Sequence, residues 1–229
     1  MEKVIGRLIK KSEPLTSLVE VDDYTKAASK AFDLTFNGQS KFHPWEKPII
    51  PKQDFRIGVI YGASGSGKST LLREFGTEEQ LTWDPTKAIV SHFDSEDDAL
   101  NKLGAVGLNS IPSWTKPYHV LSNGEKFRAD LARKIKNNAV IDEFTSVVDR
   151  NVAKAASVAL SRYVKQASIT GLVLATCHED ILDWLQPDWV INTNTGEMYD
   201  GFFLSAHKSI SKFIAQTVVR GKCLKNITI

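Results

Sequence analysis

The stretch "YGASGSGKSTLL", Tyr61 to Leu72, decides how the rest of this chain is read. It places Gly62, Gly65 and Gly67 within six residues, follows them with Lys68, Ser69 and Thr70, and ends on a leucine pair. Such a run contributes little to a core. It comes directly after "FRIGVIYG" (55–62), a short and nearly continuous apolar run. A strand apolar on both sides suits a parallel sheet covered on both faces. "KSTLLREF" (68–75) has helical character. The expected order is strand, glycine-rich loop, helix.

Gly62-x-x-x-x-Gly67-Lys68-Ser69 fits the P-loop pattern. A loop that wraps phosphates must turn consecutive backbone N–H groups inward, and glycine permits both the angles and the close approach. The predicted cradle is Gly62, Ser64, Gly65, Ser66, Gly67, Lys68, Ser69 and Thr70. The helix that begins near Lys68 adds free N–H groups and the positive end of its dipole. Lys68 is expected to reach the β- and γ-phosphates and Ser69 to ligate Mg²⁺. The bland alternative is a flexible Gly/Ser connector. The strand before and the helix after favour a nucleotide.

Three stretches downstream bear on the kind of nucleotide enzyme. "LSNGEKFRADLAR" (121–133) reads as a helix N-terminus, with Ser122 as cap and Glu125 as its partner in a capping box. The same backbone N–H groups and the Ser122 hydroxyl suit an anion. "AVIDEFTSVVD" (139–149) is a short apolar strand ending in Asp142-Glu143. "LVLATCHED" (172–180) is a buried-looking strand that ends at His178, and ligands of open α/β sheets bind at such strand ends.

Together these resemble the motifs of ABC-type ATPases, in that family's order. Ser122 and Gly124 match the LSGGQ signature, while Asn123 and Glu125 depart from it. Asp142 and Glu143 resemble a Walker B end, "TSVVD" the D-loop with Asp149, and His178 the switch histidine. The family often has proline where this chain has Phe144. The resemblance implies ATP and Mg²⁺ as cofactors, with Ser69 and Asp142 on the metal. Glu143 becomes the general base toward water, and His178 couples the γ-phosphate to Glu143. It implies two copies closing on ATP, with Ser122, Gly124 and Asp149 of one facing the P-loop of the other. A soluble group of ABC ATPases often fused to a predicted GNAT-type acetyltransferase domain is similar in "WDPTKAIVSHF" (83–93) and residues 107–133, and this chain would be a stand-alone version.

Beyond the motifs, "KAFDLTF" (30–36) alternates like a strand, residues 37–52 read as a proline-rich loop, and residues 109–119 as another loop. Helices are expected over 97–108, 124–136 and 151–166, the last with Val152, Ala155, Ala159 and Tyr163 on its apolar stripe. "WVINT" (189–193) is a further strand. Strands alternating with helices indicate α/β. The expected fold is a three-layer P-loop NTPase of ABC ATPase type with a shortened helical subdomain. Residues 1–29 would form an N-terminal extension, 30–203 the ATPase domain and 204–229 a basic C-terminal helix or tail.

A net charge of +2 exerts no global pull toward nucleic acid. Cys177 and Cys223 form no framework for disulfides or zinc. No apolar run reaches the about 20 residues that span a bilayer, and no leader is evident, so a cytoplasmic protein is expected. Gln80 and His92 are the candidates for the Q-loop role. Phe36, Phe42 and Trp45 are candidates for stacking on adenine, with ordinary packing as the alternative. Trp83, Trp114 and Tyr118 are expected to pack the arm. Lys208, Lys212, Arg220, Lys222 and Lys225 make the last segment basic. The expected activity is ATP hydrolysis driving a homodimer switch on a nucleic-acid or protein partner. A transporter subunit docked on a membrane protein is less favoured, and a P-loop kinase acting on a small molecule or nucleotide is the other alternative.

Overall fold

The computed structural model describes residues 7–50 and 54–200. The basic segment expected over 204–229, and Cys223 within it, lie outside the described residues. The central sheet has the order β1-β8-β7-β4-β6-β5. Its strands are β1 (Arg7–Leu8), β4 (Ile57–Tyr61), β5 (Val140–Ile141), β6 (Leu172–Thr176), β7 (Trp189–Asn192) and β8 (Glu197–Asp200). β4 pairs in parallel with β6 and β7, and β5 in parallel with β6. β8 runs antiparallel to β7 and closes that edge together with β1.

Alternation along these strands builds two cores, as expected for a sheet covered on both faces. Ile57, Val59, Leu172, Leu174, Val190 and Ile141 face one way. They meet α3 (Glu96–Ala105), α5 (Asn123–Lys134), α6 (Arg150–Gln166) and α7 (Ile181–Leu185). Ile60, Val173, Ala175, Trp189 and Ile191 face the other way, against Leu71 and Leu72 of α2 (Lys68–Arg73). The result is the expected three layers. Trp189 fills the second core, edge-on to Phe55 at 5.2 Å and stacked on Phe75 at 5.3 Å. Among the described residues no helix is long and apolar enough to cross a membrane.

Several elements differ from the sequence reading. Residues 30–36 are not a strand. The Asp22 carboxylate accepts from the Thr25 N–H and starts α1 (Asp23–Ala31), and the chain then runs on irregularly with Phe32 and Leu34 exposed. Among the described residues no strand pairs with that stretch. Residues 37–52 are not all loop, because β3 (Gln39–Phe42) pairs with β2 (Leu15–Leu18). The stretch 109–119 contains α4 (Ile111–Trp114). On α6 the buried face lies one position along from the predicted stripe, at Ala153, Ala156, Ser157, Leu160 and Val164. The small residues allow α7 to approach, and the Ser161 hydroxyl donates to the Leu185 carbonyl at 2.7 Å.

The arm between α2 and α5 is packed as predicted. Trp83 stacks on Tyr118 at 4.8 Å and donates to Asp130, while Trp114 donates to the Leu108 carbonyl.

Candidate functional site

The glycine-rich loop leaves the C-terminal end of β4 and enters α2 through Gly67, whose φ of 94° is left-handed and costs glycine nothing. Among the described residues no side chain caps α2, which leaves its first N–H groups for a ligand. Gly62 is needed for a different reason: a Cβ there would lie 2.2 Å from Thr193 Oγ1.

A cleft of about 370 Å³ opens over this loop. Ser64, Gly65, Gly67, Lys68, Ser69 and Thr70 form one wall, and Asp142, Glu143, Ser146 and Cys177 the other. Its size falls in the range of about 300–1,000 Å³ usual for small-molecule sites. The parallel pairing of β4, β6 and β5 brings these distant segments to one sheet end. Ser69 and Asp142 thus offer hard oxygen ligands on the same cleft. No group of three or more His, Cys, Asp or Glu suited to a metal occurs among the described residues. Mg²⁺ does not require one, since it is commonly held by one or two protein oxygens, phosphates and water. The pair fits that ion.

The turn after β5 is strained and pinned. Glu143 and Thr145 adopt φ of 48° and 68°, a region unfavourable to side chains and frequent at functional sites. The Glu143 N–H donates to Asp142 Oδ1 at 2.8 Å, and the Phe144 N–H to the Ala175 carbonyl on β6 at 2.8 Å. Phe144 is fully buried against Phe127, which anchors the turn. His178 does not line the cleft; its neighbour Cys177 does. The His178 ring lies 3.2 Å from Thr145 Oγ1 through Nδ1. Burial, and then repulsion by Arg150, hold its imidazole below the ordinary 6.5, with Asp180 opposing.

Ser122, Gly124 and Asp149 stand away from the cleft walls of the same chain. Ser122 caps α5 in a complete capping box, accepting from the Glu125 N–H while Glu125 accepts from the Ser122 N–H. Hydrogen bonds from Ser113 and Ser122 bring the Glu125 carboxyl down to about 2. Asp149 caps α6 through the Asn151 and Val152 N–H groups. Arg128 lies in the field of both Glu125 and Asp149.

Phe42 lines the cleft, whereas Phe36 does not. Trp45 instead braces the loop from behind, its indole donating to the Ser66 carbonyl at 3.1 Å. His92 is committed to the arm: it accepts from the Asp84 N–H and lies against Trp83. Gln80 is exposed and does not line the cleft. Sequence reading missed Cys177 and the pair Thr193 and Asn194. The turn-forming "NTNTG" (192–196) was the available signal for that pair.

Solved structures share this fold. A dimeric bacterial ABC transporter cassette, MJ0796, superposes with a TM-score of 0.52 at 15% identity, over 72% of this chain and 93% of its own. The fold is that of an ATP-binding cassette. A post-hydrolysis state of the cassette MJ0796, bound to ADP and phosphate, gives 0.51 at 14% identity over 86% and 97%. The cbiO1 protein of Clostridium perfringens, part of the ABC transporter complex cbiONQ, gives 0.50 at 17% identity over 91% and 97%. No family model and no curated protein sequence matches the chain. At these identities the likeness is one of fold, and the cassette's chemistry must be argued from its own residues.

Proposed function

We propose that this cassette binds ATP with Mg²⁺ and hydrolyses it to ADP and phosphate, and that two copies close on the nucleotide. The observation that carries this reading is the shared cleft: Lys68, Ser69, Asp142 and Glu143 meet there from segments far apart in the sequence. Loop N–H groups and Lys68 hold the triphosphate. Ser69 and Asp142 would hold Mg²⁺, which supplies charge neutralisation between the phosphates. Glu143 takes the proton of the attacking water. Thr145 orients His178, which stands outside the cleft wall of one copy and would reach the γ-phosphate end as the two copies close. Ser122, Gly124 and Asp149 serve the partner copy, where ATP contacts both and its hydrolysis releases them.

The ATP cycle then acts as a switch on a nucleic-acid or protein partner in the cytoplasm. The short arm between Lys68 and Ser122, and the lysine-rich sequence after residue 204, support that reading over a membrane subunit. The same reading takes residues 1–29 as an N-terminal extension that lends β1 to the edge of the sheet and residues 30–203 as the ATPase domain.

The test is sedimentation of Glu143→Gln with ATP, beside Lys68→Ala. Glu143→Gln should bind ATP, form a dimer and lose about 10²–10⁴-fold in turnover. Lys68→Ala should weaken ATP binding about 10- to 100-fold, because a charge-assisted hydrogen bond contributes about 1.5–3 kcal/mol. A Glu143→Gln protein that binds ATP and stays monomeric overturns the closed dimer. Turnover measured alone, with single-stranded DNA and with RNA identifies the partner class by which one stimulates it.

One observation favours a second reading, a P-loop kinase. A separate cleft of about 400 Å³, lined by Asn123, Lys126, Phe127 and Val147, shares Asp142 and Glu143 with the nucleotide cleft. An acceptor hydroxyl there could give its proton to Glu143 and take the γ-phosphate. Label from γ-phosphate recovered on an acceptor instead of as inorganic phosphate would decide for it.

A further inference from the structure

The P-loop is held from outside by the turn that joins β7 to β8. The Thr193 hydroxyl donates to the Tyr61 carbonyl at 3.1 Å, the last residue of β4, and the Thr193 N–H donates to the same oxygen. With its proton so used, Thr193 Oγ1 can only accept from Ser66, whose hydroxyl lies 2.6 Å away. One residue further, Asn194 Oδ1 accepts from the Ala63 N–H at 2.9 Å. Asn194 is itself fixed, its N–H donating to Asn192 Oδ1 at 2.9 Å. The carbonyl of Ala63 accepts from Lys68 Nζ at 2.7 Å, so a single residue of the loop, Ala63, joins Asn194 to the lysine assigned to phosphate.

The other side of Ser66 is closed by Trp45. Its indole donates to the Ser66 carbonyl, and its ring covers Gly196 of the same β7–β8 turn, where a Cβ would lie 2.7 Å from it. Lys11 lies 4.8 Å over that ring. Ser66 is thus bonded through both its side chain and its carbonyl, and Thr193 at its back is buried. This consumes the one polar side chain of the loop that the sequence assigned to phosphate and that does not line the cleft.

We propose that Thr193 and Asn194 are positioning residues for the nucleotide: they hold the P-loop in its phosphate-ready shape before any ligand arrives. The inference rests on the cleft being a nucleotide site, and it goes beyond that reading by assigning a role to a segment outside the motifs. The physical reason is preorganisation. A loop of glycines and serines has much backbone freedom to lose, and a loop ordered in advance does not charge that loss to binding. A wall built into the sheet does this more firmly than contacts within the loop, because β4 and β7 are paired over four registers.

Hydrogen exchange and ATP affinity on one set of variants test the clamp. In nucleotide-free protein, Asn194→Ala should speed exchange of the Ala63 amide at least about tenfold, because its acceptor is gone. Ser66→Ala should weaken ATP binding about fivefold, about 1 kcal/mol for one hydrogen bond, and Thr193→Val at least as much, because it also removes the bond to the Tyr61 carbonyl; both should raise KM more than they lower kcat. The double variant should equal Thr193→Val alone, since Ser66→Ala removes no bond that Thr193→Val leaves in place. Thr193→Ser should restore affinity. Unchanged exchange at Ala63 together with wild-type affinity in Thr193→Val and Asn194→Ala overturns the inference. Additive losses in the double variant also overturn it. Wild-type protein that binds no ATP defeats the proposed function instead, and the exchange measurement still decides the clamp.

Discussion

Thr145 Oγ1 lies 3.2 Å from His178 Nδ1, joining the turn after the Asp142-Glu143 pair to the end of β6. The first residue sits in left-handed backbone and is fully buried; the second is half-buried. Burial first, and Arg150 second, favour the neutral imidazole, so the unfolded chain binds a proton here more readily. The contribution to stability is therefore full above the ordinary value of 6.5 and is lost as pH falls through the lower folded value. A proton NMR titration should place the His178 midpoint below that of an unfolded-state histidine. Asp180→Asn should lower it further, because Asp180 raises it and also pairs with Arg150. A midpoint that rises in this variant contradicts the assignment.

Cys177 is exposed and faces the P-loop across the cleft, whereas Cys223 is far along the chain. In a Cys223→Ser background, ATP should slow maleimide labelling of Cys177. Labelling first should reduce subsequent ATP binding. Equal labelling rates with and without saturating ATP would place the nucleotide elsewhere.

Ser122→Ala separates capping from partner contact. Loss of the cap should cost about 1 kcal/mol in chemical denaturation. The isolated cassette should bind ATP as before, because Ser122 is not part of its own cleft wall. Dimer formation with ATP in a Glu143→Gln background should fall. If the dimer forms unchanged, Ser122 is only a cap.

Gly58→Ala tests the floor beneath the loop. An added Cβ would stand 2.0 Å from Trp189 Cζ2, and the tryptophan is held between Phe55 and Phe75. Overpacking of this kind costs about 1–3 kcal/mol. The unfolding midpoint should drop accordingly, and a wild-type midpoint would mean that the tryptophan yields easily.

Glu125 gives a second pH mark. Its carboxyl is brought to about 2 by Ser113 and Ser122, so the stability it adds is present above the ordinary 4.5 and is lost as pH falls toward 2. Ser113→Ala should move the Glu125 midpoint upward in a carboxylate NMR titration. An unmoved midpoint would rule out Ser113 as the main cause.

The chain's sequence by itself determined what depends on neighbouring residues. Gly67 before Lys68 encodes a left-handed entry to a helix, Ser122 with Glu125 a capping box, and the apolar runs at 57–61 and 172–176 a sheet buried on both faces. These needs are local, so contiguous residues state them. Tertiary structure alone decided which side chains share a space. Phe42 lines the cleft while Trp45 braces the loop from behind, and Cys177 rather than His178 lines the cleft wall. The Ser66 hydroxyl meets Thr193, 127 positions away. Period in a sequence tells which residues share a face of their own element. The partner across that face is set by strand pairing between distant segments, and no local pattern carries it.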